Sequence, residues 1–341
     1  MNVFICPTNL DFMPYANLYP FNSGSSTFVL WDRFGTSECK DSYVVYRDRK
    51  VGHKRNIVDY FLFSFFVYKW IFLNLKTDDK VVLFGPQLTF FIWPILLLKR
   101  ISYVIDYRDY HVLTRFTPGV VYRKASFVAV SSPAYSELFQ SGAKVLVSHN
   151  YKPLSGDFYY TDNKLPYVIS CIGAIRDFEA NSELIYSLKN DNRFLVKFHG
   201  TGISESDLKR FAHNHGVSNV EFTGHYKKAS EIKFYRASSF INLLRNSNSY
   251  NDRVALPNRL YNSAMYRVPI LCYEGTLLAE YVKKYNLGVC ISSKENLKEE
   301  LLSYIAHFDE ISFANGVDLF LTSIDADQQS FIEFSTCFFR V

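Results

Sequence analysis

The feature that most constrains this chain is a repeated alternation of short apolar runs with stretches of helical periodicity. Runs at residues 3–6, 27–30, 43–46, 81–85, 103–106, 127–131 and 144–148 lack the every-second-residue polarity of a half-exposed strand. They read as parallel strands buried on both faces. Helical stretches fall at residues 57–75, 88–99 and 133–141. Strand–helix succession of this kind predicts an α/β fold built on a doubly wound parallel sheet.

Residues 150–166 then turn polar, with Pro153, Gly156 and Asp162-Asn163-Lys164, and read as a linker. A second series follows, with strands at residues 167–172, 194–199, 220–222, 239–244, 269–273 and 288–291. Its helices fall near residues 181–189, 205–215, 230–237, 259–266 and 277–285, and the chain from about residue 297 is mostly helical. The predicted organisation is a Rossmann-like domain over residues 1–150, a second over 151–310, and a helical segment over 311–341 that packs back on the first. Two such domains in tandem would face each other across a cleft. In open α/β sheets, ligands bind beyond the carboxyl ends of the strands.

With 341 residues, 48% hydrophobic and 21% charged, the chain has ample material for two cores, which excludes a low-complexity or disordered protein. The net charge of +5 is modest, and its cations form no dense stripe, so no nucleic-acid partner is expected. Six cysteines are scattered without a C-x-x-C spacing, which speaks against a zinc site or a disulfide scaffold. Cys6, Cys171, Cys272 and Cys290 sit in strand-like runs as small hydrophobes, and a cytoplasmic location is expected.

The first residues read as a strand and not as a secretory leader. Residues 60–73, interrupted by Lys69, and residues 90–98, followed by Lys99-Arg100, are expected to be too short to cross a bilayer. Aromatic residues make up 17% of the chain, much of it in the first half beside a basic run at residues 47–55. With Trp70, Phe90 and Phe91, that run suits peripheral contact with the inner face of an anionic membrane. A solvated basic loop beside a core helix is the alternative.

The chemistry-bearing motifs cluster at predicted strand ends. Residues 255–269, A-L-P-N-R-L-Y-N-S-A-M-Y-R-V-P, read as a loop, a short helix and the start of a buried strand. Asn258, Arg259 and Asn262 stand at that loop-to-helix corner, where backbone N–H groups and a guanidinium suit a phosphate or diphosphate. I-G-A-I-R-D-F at residues 172–178 places Gly173 and Arg176 at another strand end. F-H-G-T-G at 198–202, carrying Gly200, and F-T-G-H-Y at 222–226 add two more glycine turns on the same expected edge. Neither has the full dinucleotide spacing. The polar loop at 244–253 carries Arg245 and Arg253, which with Arg259 are placed to meet negative charge; a plain surface loop is the alternative.

In the first half, D-Y-R-D-Y-H at residues 106–111 follows a buried strand. Asp109 or His111 is a candidate base for an acceptor hydroxyl, and Arg108 a candidate contact for an acceptor's diphosphate. An Asp–Arg pair locking the loop is the competing reading. No His, Asp or Glu cluster has metal-ligand spacing, so no bound metal is expected.

The order I-G-A-I-R, H-G-T-G, V-E-F-T-G-H-Y and P-N-R-L-Y-N-S-A-M-Y-R-V-P resembles the donor-binding half of GT-B glycosyltransferases, notably the retaining enzymes of glycosyltransferase family four. The resemblance covers residues 167–291, with weaker support from residues 105–109 and 148–150. It implies that Arg259 replaces a family lysine that meets the donor diphosphate, and that Arg176 is a second diphosphate contact. Asn262 occupies the position of a glutamate that binds the ribose, and Val254 stands where that glutamate's partner would be. The resemblance further implies a metal-independent glycosyltransferase without a tightly bound cofactor. Its donor would be a nucleotide sugar, most simply a UDP-sugar, and its acceptor a polyprenyl-linked or free oligosaccharide in capsule, O-antigen or related surface-polysaccharide synthesis. A sugar-nucleotide 2-epimerase of the same fold and a non-catalytic GT-B partner protein are the alternatives.

Overall fold

Seven strands of the first half pair side by side, all parallel: β1 (Asn2–Cys6), β2 (Ser26–Asp32), β3 (Tyr43–Arg47), β4 (Lys80–Phe84), β5 (Ser102–Tyr107), β6 (Val128–Val130) and β7 (Val145–Val147). The computed structural model describes residues 1–20, 26–37, 40–139, 142–151 and 165–340. Cys39 and most of the expected linker, residues 152–164, lie outside the described residues. The sheet order is β3-β2-β1-β4-β5-β6-β7, which reverses direction between β1 and β4.

A second parallel sheet comprises β8 (Tyr167–Ile172), β9 (Phe194–His199), β10 (Val220–Gly224), β11 (Phe240–Asn242), β12 (Ile270–Tyr273) and β13 (Gly288–Ile291). Its order, β10-β9-β8-β11-β12-β13, reverses between β8 and β11. Both are Rossmann orders, and each reversal leaves a crevice at the carboxyl ends of the two strands that flank it.

The chain divides into two units, residues 1–150 with 325–341, and residues 151–324. In the first, one sheet face carries Phe4, Phe28, Val82, Phe84 and Val104 and is covered by Met13, Tyr19 and Phe331. On the other face Trp31 stacks on Phe63 of α1 (Ile57–Asn74) at 4.9 Å. The second helix, α2 (Pro86–Leu98), starts on a proline, which suits the first helical turn. A short α3 (Gly119–Lys124) follows. The helix expected at residues 133–141 is instead a 3₁₀ stretch, Pro133–Leu138. Tyr135 is its one buried residue, which is too little apolar surface to stabilise further turns.

In the second unit α4 (Phe178–Ser187) and α5 (Glu205–Asn214) cover one sheet face, together with α10 (Leu297–Ala306). The other face is covered by α6 (Glu231–Arg236), α8 (Asn258–Met265) and α9 (Leu277–Lys284), joined by the first half of α11 (Glu310–Arg340). Between β11 and α8 lies a helix of five residues, α7 (Tyr250–Val254), where a polar loop was expected. Ser249 and Asp252 close it with reciprocal side-chain-to-backbone hydrogen bonds, a capping box.

Candidate functional site

Arg259 sits in the first turn of α8, directly after Pro257 and Asn258. Its Nη1 donates to the carbonyl of Asn242 at 3.2 Å and lies 3.5 Å from the Cys171 sulfur. Those partners end β11 and β8, so the guanidinium stands in the second sheet's reversal crevice. Its Nε and Nη2 donors make no hydrogen bond among the described residues, so one arm anchors the group and the rest of the fork stays open.

Three guanidinium groups act on one carboxyl at this edge. Asp177 follows the β8 turn and is the N-cap of α4. Partial burial and the like charge of Asp252 push its carboxyl above the usual range, and Arg259, Arg245 and Arg176 pull it back. Arg176 is exposed, and its side chain makes no hydrogen bond among the described residues. Arg245 Nη2 donates to the Ala255 carbonyl. Arg176 and Arg259, 83 positions apart in the sequence (259 − 176), thus both act on Asp177.

Two buried asparagines hold the loops that carry these cations. Asn181 Nδ2 donates to the carbonyls of Arg176 and Asp177 at 2.7 and 3.0 Å. Asn242 Nδ2 donates to Asn181 Oδ1 at 2.8 Å, and its Oδ1 accepts from the Leu244 N–H at 2.9 Å. Sequence reasoning passed over Asp177, Asn181 and Asn242. The S-F-I-N end of β11 and a mid-helix asparagine form no recognisable pattern, and only the fold brings them into contact.

The glycine turns do share one edge, and their immediate role is backbone packing. Gly173 donates its N–H to the His199 carbonyl at 2.8 Å, and Gly200 donates to the Gly224 carbonyl at 2.9 Å. A Cβ on Gly200, at φ +123°, would lie 2.1 Å from the Gly173 carbonyl oxygen, so only glycine fits there. Gly173, at φ +110°, has nothing within 4 Å of its would-be Cβ, so its backbone is open to a ligand. Beside them His199 stacks on Phe234 at 3.9 Å, and burial pushes its imidazole down to about 4, so it is neutral near pH 7.

Of the remaining α8 residues, Asn258 is exposed on the first turn. Asn262, one turn later, stands by the buried Tyr235 hydroxyl, which makes no hydrogen bond among the described residues. Arg253 turns away, donating to the Ser247 carbonyl.

The first-unit candidates sort differently. Arg108 Nη2 donates to Asp106 Oδ2 at 2.7 Å and its Nε to Oδ1, while Nη1 donates to the Ser148 carbonyl at 2.7 Å. Tyr19 donates to the same Asp106 carboxylate at 2.8 Å. Arg108, the candidate acceptor contact, is thus engaged in the buried pair of the competing reading, which holds the loop after β5. Asp109 is exposed. His111 caps the 3₁₀ stretch Val112–Phe116, its Nδ1 accepting from the Leu113 N–H at 3.3 Å, and burial lowers its basicity.

The basic run at residues 47–55 is also less available than its composition suggests. Arg47 pairs with Asp32, Lys50 with Asp59 and Arg55 with Asp48. Among the described residues no cluster of three or more His, Cys, Asp or Glu could hold a metal ion.

No protein-family model matches this sequence, and no curated protein sequence does. Solved structures do match over nearly the whole chain. Anabaena HepE in complex with UDP aligns with a TM-score of 0.69 at 13% identity, covering 99% of this chain and 100% of that one. The lipopolysaccharide outer core galactosyltransferase WaaB aligns at 0.70 and 12% identity, covering 98% and 100%. An α,α-trehalose 6-phosphate synthase from Burkholderia multivorans aligns at 0.66 and 8% identity, covering 98% and 96%. At such identities the likeness concerns the fold alone: this chain is an α/β protein with two parallel Rossmann-ordered sheets, the fold of the GT-B glycosyltransferases.

Proposed function

We propose that this protein is a cytoplasmic glycosyltransferase that moves a sugar from a UDP-sugar to an oligosaccharide carried on a polyprenyl lipid, in the synthesis of a surface polysaccharide. The observation that carries this reading is Arg259, anchored by one arm at the ends of β8 and β11, with Arg245 and Arg176 close enough to act with it on the Asp177 carboxyl. A diphosphate there would exchange hydration for preorganised guanidinium groups and the N–H groups of the first turn of α8. In transfer, the bond from the anomeric carbon to the diphosphate oxygen breaks and the acceptor oxygen bonds to that carbon on the same face, its proton passing to the base. The cations neutralise the departing UDP, so no metal ion is required, and we follow the resemblance in reading the outcome as retaining.

Gly173, Gly200, Arg176, Arg245, Asn258, Arg259 and Asn262 form the proposed donor site, with Asn262 on the ribose. Asp109 is the proposed base for the acceptor proton. His111 is the poorer base, because its Nδ1 already accepts a backbone hydrogen bond and its neutral ring therefore carries the proton on Nε2. Supporting the donor assignment, HepE has been crystallised with UDP and with UDP and glucose. WaaB is a galactosyltransferase of the lipopolysaccharide outer core.

Isothermal titration of the full chain with UDP tests the reading. Arg259→Ala should weaken UDP binding by about 1.5–3 kcal/mol, roughly 10- to 150-fold, the scale of a charge-assisted hydrogen bond. Absence of UDP binding, or unchanged affinity in a folded Arg259→Ala variant, overturns it.

A further inference from the structure

We propose that α1 lays its exposed face on an anionic lipid bilayer. This inference concerns the first unit and does not depend on what the second unit binds. A surface helix normally turns polar residues outward. Here Ile57, Val58, Phe61, Leu62, Phe65 and Phe72 are each between 50% and 68% exposed. At 100° per residue they fall on one continuous side of the helix. The opposite side carries Phe63, Val67 and Ile71, all fully buried in the first unit's core. An apolar stripe of this length left uncovered marks an interaction surface.

Charge selects the occupant. Lys69 is the one ionised side chain on α1's exposed side, and Asp59, the helix's one acid, is buried in its first turn and paired with Lys50. Arg49 and Lys54, in the loop that leads into α1, are exposed and make no ion pair among the described residues. At the other end Lys99 Nζ donates to the Ile71 and Phe72 carbonyls, and exposed Arg100 follows it. Past the helix, exposed Lys76 and Asp78 offset each other, so Arg49, Lys54, Lys69 and Arg100 leave the border of this face net cationic. Aromatic and aliphatic side chains in such a setting suit the boundary between lipid headgroups and acyl chains.

By length and composition the 18 residues of α1 could cross a membrane, contrary to the sequence expectation for this region. The core packing of Phe63 on Trp31 and the Lys99 hydrogen bonds hold the helix on the unit, so it lies on the bilayer and does not cross it.

Flotation of the full-length protein with vesicles tests this, using phosphatidylcholine mixed with phosphatidylglycerol and phosphatidylcholine alone, with sedimentation velocity in the absence of lipid. The protein should float with the mixed vesicles and much less with the neutral ones. Phe61→Ser/Phe65→Ser should weaken that binding by at least about tenfold while leaving the circular dichroism and melting temperature in place. Lys69→Glu, on the same face but outside the packed core, should weaken it several-fold. A wild type that stays in solution with mixed vesicles, or variants that float as it does, overturns the proposal. Self-association without vesicle binding also overturns it and assigns the face to a second copy of the chain.

Discussion

Asp177 brings a carboxylate among three guanidinium groups on a backbone of φ 52°, a left-handed conformation that asparagine also tolerates. Its folded pKa lies above the ordinary value. The stability it contributes is therefore complete below the ordinary carboxyl range and falls as pH rises through the folded pKa. Asp177→Asn should raise the thermal midpoint at pH 7, with the gain vanishing near pH 3, where both states hold the proton. The same change removes a negative charge from the proposed diphosphate site, so UDP affinity should rise by about three- to tenfold at low salt, the scale of one screened charge. A variant that melts lower at pH 7, or binds UDP more weakly, would show the carboxylate to be a needed hydrogen-bond acceptor. At this scale the sequence was partly legible. Arg176 and Arg245 could be grouped with Arg259 because the first two follow strand ends and the third opens the helix that comes after the same loop. For Arg108 the sequence left two readings open, an acceptor contact and a pair with Asp106, because its second partner, the Ser148 carbonyl, is 40 residues away.

Strands were the most readable elements, because β1, β4 and β5 are buried on both faces and so appear as unbroken apolar runs. The short helix α7 was missed although its Ser249-x-x-Asp252 signature was present, since asparagine and serine on either side favoured a loop. The glycine turns were recognised, but their different tolerances emerge only from spacing between chains of backbone. Gly200→Ala would drive a methyl group to 2.1 Å from the Gly173 carbonyl, whereas Gly224 has nothing within 4 Å. Both need positive φ, so Gly224→Ala should cost about 1 kcal/mol and Gly200→Ala on the order of 3 kcal/mol or more. Urea unfolding of the two variants gives the comparison; equal costs would mean that the β8 and β9 turns separate easily. In the proposed site Gly200→Ala should also weaken UDP binding, because the displaced Gly173 turn leads into Arg176.

Over the whole molecule, one helix contributes to two cores. Phe313, Val317, Phe320 and Ile324 of α11 are buried in the second unit, while Phe331, after the change of unit at Asp325, is buried in the first. The spacing of three, four and seven residues continues across that point, so helical periodicity gave no sign of the change and residues 311–341 read as a single segment. Phe331 packs edge-on against Tyr19, with ring centroids 5.0 Å apart, and Phe320 stacks against Tyr261 at 6.1 Å. Each is fully buried, so truncation to alanine should cost about 3–5 kcal/mol. Two units with separate cores need not unfold in one step. Calorimetry of the wild type with UDP would identify the second unit's transition as the one the nucleotide raises. Phe320→Ala should lower that transition and Phe331→Ala the other. Should both variants instead lower a single transition equally, α11 couples the two cores into one folding unit, and the loss of either aromatic anchor is felt by the whole chain.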